Sequence, residues 1–223
     1  ARGREPITAK LVANLITSAG ADRVLTMDLH ADQIMGFFDI PVDHLPARRI
    51  IADHFLNQDL QGHDVVVVSP DVGGLDEAKG MADELDATLA IIAKRRRKPN
   101  QVEAMEVIGD LRDKTAIILD DMVDTAGTMC LGASMLKERG AARIYGAATH
   151  PVLSGPARDR LQQSSFASLV LTNTIPVPET KMLNKMTLLT VAPFFADAID
   201  RIHRDESVSK CLARQPARQR RMF

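Results

Sequence analysis

Apolar residues follow two periods along the chain, one typical of buried strands and the other of amphipathic helices. Residues 65–68 are four consecutive valines, and such a short apolar run indicates a strand buried on both faces of a sheet. In residues 7–16 the apolar side chains recur at helical spacing, and Gly20 follows as a stop signal. We predict strands at residues 23–27, 64–69, 88–93, 115–119, 143–149, 168–172 and 188–191. We predict helices at residues 6–20, 47–60, 74–85, 125–138, 155–163 and 193–204.

This alternation of strands with helices of about ten to fifteen residues predicts an α/β fold built from βαβ units. Such units form a parallel sheet that is covered by helices on both faces. Ligands of these folds bind outside the carboxyl ends of the strands. The residues that follow each predicted strand are therefore the candidates for function.

Composition narrows the class of protein. The chain has 223 residues with 28 Lys+Arg, 29 Asp+Glu and 45% hydrophobic residues, which is typical of a globular protein and excludes a wholly disordered chain. A net charge of −1 argues against a whole-protein binder of nucleic acid. No apolar run approaches the ~20 residues that a membrane helix needs, so we expect no membrane partner.

Two further features concern compartment and chain ends. Two cysteines are too few for a disulfide scaffold and indicate a reducing compartment, which we take to be the cytoplasm. The chain begins at Ala1 without Met, and we interpret it as a processed or truncated product. Residues 213–223 contain arginines and no acids, and we predict a basic disordered tail there.

Residues 116–128 contain the strongest chemical signal. An apolar strand ends in Asp120 and Asp121, and residues 124–128 then form an Asp-Thr-Ala-Gly-Thr turn that begins a helix. Backbone N–H groups at a helix start, with threonine hydroxyls, form a cradle for phosphate. The carboxylates beside it can accept hydrogen bonds from the hydroxyls of a sugar, so the pattern favours a sugar phosphate. The alternative is an acidic turn with an ordinary helix N-cap.

The same segment resembles the phosphoribosyl pyrophosphate loop of the type I phosphoribosyltransferase family. Residues 28–43 closely resemble the metal-binding signature of ribose-phosphate pyrophosphokinases, a family with this fold. Further segments match that family in the same order along the chain, at residues 4–7, 69–74, 94–96, 149–156 and 207–209. The resemblance covers the whole chain except the arginine-rich tail.

This resemblance implies an enzyme that transfers the pyrophosphoryl group of ATP to the C1 hydroxyl of ribose 5-phosphate for nucleotide biosynthesis. It implies a near-complete phosphoribosyltransferase-like domain at residues 46–190. Residues 1–45 would be the remnant of an incomplete N-terminal domain, to which a helix in residues 191–212 returns. Members of the family form homo-oligomers, often hexamers, so we expect a homo-oligomer.

The resemblance also implies roles for individual residues. Mg²⁺ is the expected cofactor, with His30 and Asp71 as its principal contacts. Asp28, Asp39 and Asp43 of the metal signature are further candidate ligands. A structural hydrogen bond is the alternative role for His30.

Lys94 and Arg96 match the catalytic lysine and arginine of the family, in a basic run at residues 94–98 that we interpret as a mobile lid. A solvated face or a nucleic-acid patch is the alternative for this run. The residues expected to bind ribose 5-phosphate are Arg96, Asp120, Asp124, Thr125, Ala126, Gly127 and Thr128.

Arg4, Ser207 and Ser209 match the regulatory site of the family. Glu77 stands where the family usually has a basic residue, and this departure predicts a weaker pyrophosphate side unless Lys79 compensates. Two other functions stay open: a non-catalytic regulatory partner of a synthetase, and a phosphoribosyltransferase that consumes the product.

Overall fold

The computed structural model describes residues 7–95 and 104–212. The strands of this part of the chain form two sheets. The strands are β1 Val24–Met27, β2 Val42–Leu45, β3 Val65–Ser69, β4 Thr88–Arg95, β5 Ala104–Ile108, β6 Thr115–Met122, β7 Arg143–His150, β8 Ser168–Thr172 and β9 Met186–Leu189. The helices are α1 Thr8–Ser18, α2 Arg48–Leu56, α3 Leu75–Leu85, α4 Gly127–Glu138, α5 Ala157–Gln163, α6 Ala192–His203 and α7 Ser209–Leu212. Two 3₁₀ helices lie at Asp32–Phe37 and Glu179–Lys181.

The larger sheet has seven strands in the order β5-β4-β3-β6-β7-β8-β9. All neighbouring strands in it are parallel except β4 and β5, which are antiparallel. β1 and β2 form a separate parallel pair. The order β4-β3-β6-β7 places the carboxyl ends of the central strands side by side.

Each face of the larger sheet has its own hydrophobic core. Successive side chains of a strand point to opposite faces, so the valines of β3 divide between the two cores. Val65 and Val67 pack with α2 and α3, whereas Val66 and Val68 pack with α4 and α5. All four valines are buried, which confirms the prediction of a strand covered on both sides.

The chain divides into two compact units, one up to Leu189 and one from Thr190 onward. Within the second unit Arg201 forms ion pairs with Asp197 and Glu206, each at 3.1 Å. The predicted domain boundaries, with the return of residues 191–212 to the N-terminal segment, stay predictions. The predicted basic tail lies outside the described residues. Among the helices of the described part, none is long and apolar enough to cross a membrane.

Most of the predicted elements form, with three differences. β2 and β5 are strands that the apolar pattern did not predict. In β5 the apolar run is interrupted by Glu106, and the strand lies at the sheet edge. β9 lies two residues earlier than predicted, because Val191 is already the N-cap of α6. β4 extends through Lys94 and Arg95, which were predicted to begin a loop.

The core beneath α2 generates a prediction about stability. Phe55 is fully buried and meets Tyr145 edge-on, with 5.8 Å between ring centroids. Phe55→Ala removes a ring and leaves a cavity, so we expect it to lower the free energy of unfolding by about 3–5 kcal/mol. Urea denaturation followed by circular dichroism measures the change.

Leu131→Ala provides the control, because the Leu131 side chain is half-exposed on α4. It should change the free energy of unfolding by no more than about 0.5 kcal/mol. Equal losses for the two variants would contradict the placement of the core.

Candidate functional site

Three strands deliver polar side chains to one region at the carboxyl edge of the sheet. Asp71 lies two residues beyond β3, and Asp120 and Asp121 lie near the end of the adjacent parallel strand β6. His30 follows β1 and reaches the same region, since its Nδ1 atom lies 2.7 Å from Oδ2 of Asp121. The site therefore combines an imidazole with three carboxylates from separate parts of the chain.

The charges in this cluster influence one another. The hydrogen bond and the negative charge of Asp121 raise the pKa of His30 above its ordinary value. Burial, reinforced by the Asp121 and Asp71 carboxylates, raises the pKa of Asp120 to about 7. The cluster is thus a place where a cation would relieve repulsion between carboxylates.

The carboxylate oxygens of this cluster are ligands of the kind that a hard divalent cation accepts. Among the described residues, no group of three or more His, Cys, Asp or Glu side chains is close enough to hold an ion by itself. Mg²⁺ is usually bound by one or two carboxylates, with water and substrate phosphate completing its shell. Asp71 and Asp121 supply oxygens of that kind.

The other acids of the metal signature have separate partners. Asp39 is exposed and pairs with Lys10, with 3.1 Å between Oδ2 and Nζ. Asp43 pairs with Arg23 at 2.5 Å. These two carboxylates do not join the cluster around His30.

Asp28 anchors the segment that leads to His30. Its Oδ2 atom accepts hydrogen bonds from the Thr149 hydroxyl and from the Ala47 backbone N–H. Its backbone carbonyl lies 2.9 Å from Nε2 of His150. Asp28 therefore acts in this structure by connecting β1 to the end of β7.

The loop at residues 124–128, which joins β6 to α4, borders an open pocket of about 250 Å³. Asp120 and all five loop residues line it, along with Met122, Val123 and Met129. Ala126 is the N-cap of α4 and has a left-handed backbone with φ +59°. The first turn of a helix leaves its N–H groups without carbonyl partners inside the helix, so this pocket is suited to an anion.

Two side chains from beyond β7 hold this loop. The Ser154 hydroxyl donates to Oδ1 of Asp124. Nη1 of Arg160 donates to the Thr125 carbonyl at 3.0 Å. Leu153, beside Ser154, is buried in a left-handed conformation with φ +49°, and Nζ of Lys181 donates to its carbonyl at 2.8 Å.

Several predicted residues lie apart from this pocket or outside the described part of the chain. Arg4 and Arg96 lie outside the described residues, and Lys94 is placed only by its backbone, which pairs with Met105 in β5. Ser207 and Ser209 lie in the second compact unit, with 2.6 Å between their hydroxyl oxygens. Their predicted roles stay predictions.

Glu77 has a basic partner other than Lys79. Its Oε2 atom accepts from Nη1 of Arg48 at 3.0 Å, and Nε of Arg48 donates to Glu84. Burial raises the pKa of Glu77, while the charge of Arg48 acts in the opposite direction. The ion pair connects α2 to the first turn of α3.

Ser154 and Arg160 were missed as site residues. Ser154 follows β7, so the rule that ligands bind beyond strand ends could have found it. Arg160 lies inside α5, 35 residues from its partner Thr125, and no local pattern connects the two.

The fold places the chain in the class of α/β proteins with a mainly parallel sheet covered on both faces, and a loop that begins a helix borders a pocket at the carboxyl edge of that sheet. Residues 95–213 match the family model described as phosphoribosyl synthetase-associated domain. The chain belongs to this family.

Curated relatives extend the match over almost the whole chain. A ribose-phosphate pyrophosphokinase of Listeria ivanovii is 54% identical over 209 residues, covering 94% of this chain and 65% of the relative. The enzyme of the same name from Bacillus caldolyticus is also 54% identical over 209 residues and is covered to 66%. The chain thus spans slightly less than two thirds of the length of these relatives.

A crystal structure of phosphoribosylpyrophosphate synthetase from Mycobacterium smegmatis has a similar fold. The TM-score is 0.81 at 42% sequence identity, covering 92% of this chain and 66% of the other. The predicted α/β fold class and the predicted family are confirmed.

The raised pKa of Asp120 generates a prediction about pH. The pKa of Asp120 is about 7 in the folded chain, whereas the pKa of an aspartate in an unfolded chain is near 4. Stability should therefore decrease as pH rises through this interval. Asp120→Asn removes this titration. The free energy of unfolding of the variant, relative to that of the unsubstituted chain, should therefore increase by roughly 1–3 kcal/mol between pH 4 and pH 7.5.

Urea denaturation at several pH values, in buffer with a metal chelator, measures this difference. Asp110→Asn is the control, because Asp110 is exposed and lies before the opposite end of β6. If the difference in free energy of unfolding between Asp120→Asn and the unsubstituted chain does not vary with pH, the prediction is contradicted.

Proposed function

We propose that this chain is a ribose-phosphate diphosphokinase that binds ribose 5-phosphate at the loop of residues 124–128. The supporting observation is the proximity, at one edge of the sheet, of an anion pocket and a His–carboxylate cluster. Asp120 belongs to both, since it lines the pocket and interacts with Asp121 and Asp71. Relatives named ribose-phosphate pyrophosphokinase support the same reaction.

The acceptor sugar phosphate occupies the pocket. The N–H groups and hydroxyls of residues 125–128 bind the 5-phosphate, and the Asp120 and Asp124 carboxylates accept hydrogen bonds from the ribose hydroxyls. The Ser154 hydroxyl donates to Oδ1 of Asp124, and we assign the contact with the sugar to the Oδ2 atom. The N–H groups and hydroxyls of the loop thus bind the phosphate end of the ligand, and the carboxylates bind its ribose end.

ATP lies on the side of His30, Asp71 and Asp121. These residues hold Mg²⁺, which supplies positive charge to the phosphate oxygens when bound. Lys94 and Arg96 add positive charge where it develops during transfer. Arg96 also contacts ribose 5-phosphate.

In the reaction the C1 hydroxyl oxygen of ribose 5-phosphate attacks the β-phosphorus of ATP. A new oxygen–phosphorus bond forms as the bond to the α,β-bridging oxygen breaks. AMP leaves and the hydroxyl proton passes to solvent. Catalysis of this kind depends on positioning and on neutralising charge.

The proposal includes a homo-oligomer, hexameric as the resemblance implies, and a cytoplasmic location. The match of Arg4, Ser207 and Ser209 to the regulatory site of the family stays a prediction. Light scattering of the purified chain measures its mass in solution, and a monomer at all concentrations would contradict the oligomer.

Release of AMP from ATP, ribose 5-phosphate and Mg²⁺ tests the reaction directly. Calorimetric binding of ribose 5-phosphate to the same sample tests the acceptor site separately. Turnover together with binding supports the proposal. Binding without turnover, combined with activation of a complete synthetase on mixing, would indicate the regulatory partner, and base transfer without ATP would indicate a phosphoribosyltransferase.

Asp124→Ala tests the sugar site. It removes a carboxylate that we expect to accept from a ribose hydroxyl, so ribose 5-phosphate should bind about tenfold or more weakly. Isothermal titration calorimetry measures the dissociation constant. Asp110→Ala, at the far end of β6, should bind as the unsubstituted chain does.

If Asp124→Ala and Asp110→Ala bind ribose 5-phosphate with the same affinity, Asp124 is not a ligand of the sugar. The calorimetric result does not depend on turnover, so it remains informative for a chain that lacks activity.

Lys94→Ala tests the catalytic assignment in a chain that shows turnover. The charge of Lys94 acts mainly in the transition state, so kcat should fall about a hundredfold or more while ribose 5-phosphate affinity changes little. Steady-state kinetics and calorimetry on the same variant separate the two effects. Equal losses in kcat and affinity would argue for a binding role instead.

A further inference from the structure

We infer that Arg160 is a positioning residue for the sugar phosphate, which fixes the loop at residues 124–128 in its anion-binding conformation. This inference rests on the proposed function of that loop. It concerns a side chain of α5 that no motif of the site includes.

The contact is with the backbone of the loop. Nη1 of Arg160 donates to the Thr125 carbonyl at 3.0 Å. The same nitrogen lies near Gly127, where a Cβ atom would be 3.3 Å away. The guanidinium therefore lies against the loop immediately before the first turn of α4.

Because of peptide geometry, this contact also orients the neighbouring backbone N–H group. A trans peptide is planar, and its carbonyl and N–H point in opposite directions. Holding the Thr125 carbonyl toward Arg160 thus directs the Ala126 N–H away from Arg160. Ala126 is left-handed at φ +59°, which costs energy for a residue with a Cβ and needs support from its surroundings.

Arg160 also supplies charge that the loop itself lacks. Residues 124–128 contain no Lys or Arg, and a bound phosphate would bring up to two negative charges. Arg160 is exposed and, within residues 7–95 and 104–212, forms no ion pair, unlike Arg158, which pairs with Asp159 at 3.5 Å. Burial raises the pKa of Cys130 on α4, while the charges of Arg160 and Lys185 act in the opposite direction, which also places Arg160 beside this helix.

The contact also limits the space beside Gly127. A Cβ at Gly127 would be only 3.3 Å from the guanidinium and 3.8 Å from Oγ1 of Thr125. Glycine at this position thus allows Arg160 to lie close to the backbone.

Three variants of this chain test the inference by calorimetry with ribose 5-phosphate. Arg160→Met keeps the length of the side chain and removes its charge and donors, so affinity should fall at least about tenfold. Arg160→Lys keeps one charged donor and should recover part of that loss. Arg158→Met removes a charge two residues away on α5 and should bind as the unsubstituted chain does.

A second measurement distinguishes positioning from general stability. Backbone amide resonances of residues 126–128 should shift on addition of ribose 5-phosphate to the unsubstituted chain. In Arg160→Met these amides should already differ in the free protein, while the melting temperature stays within about 2 °C of that of the unsubstituted chain.

Each outcome decides one point. If the unsubstituted chain does not bind ribose 5-phosphate, the proposed function of the loop fails, and this inference fails with it. If it binds and Arg160→Met binds equally well, the inference is overturned while the proposed function stands. Equal losses of affinity for Arg160→Met and Arg158→Met would show a general charge effect and would also overturn the inference.

If Arg160→Met does not fold, Arg160→Lys decides the question. Unchanged affinity and unchanged amide shifts overturn the inference, and weakened binding with altered shifts supports it.

Discussion

The parallel alignment of β3, β6 and β7 is the constraint on which the site depends. Their backbone hydrogen bonds fix Val68 opposite Ile118, and Ala116 to Asp120 opposite Ile144 to Ala148. Because the strands run in the same direction, the residues after each of them emerge at one edge. Two buried cores, one on each face, hold this register, since a shift by one residue would exchange the faces of every side chain.

The segment carrying His30 is attached to this edge from outside the larger sheet. The Thr149 hydroxyl and His150 Nε2, both at the end of β7, bond to the side chain and the carbonyl of Asp28. His30 then meets Asp121 on β6. The end of β7 also supports the opposite part of the site, because the backbone N–H of Val123 donates to the His150 carbonyl. One strand end thereby positions both halves of the site.

Charge is separated across these two halves. Carboxylates gather around His30, where burial and mutual repulsion raise the pKa of Asp120. The 124–128 loop presents helix N–H groups instead, with Arg160 beside it. A cation-bound polyphosphate on the His30 side and a sugar phosphate in the pocket would together satisfy both halves, which is the physical basis of the proposed reaction.

The sequence alone determined the α/β class, most strands and helices, and the loop at 124–128, because these depend on local periodicity and on turn residues next to one another. It did not predict β5, whose alternating residues gain their meaning only from pairing with β4. It grouped Asp39 and Asp43 with His30, but the folded chain gives them Lys10 and Arg23 as partners, because proximity along the chain does not fix where side chains point. Only the tertiary structure brought Asp121 to His30 and Arg160 to Thr125, since both contacts join segments that are distant in sequence and that become neighbours only when the chain folds.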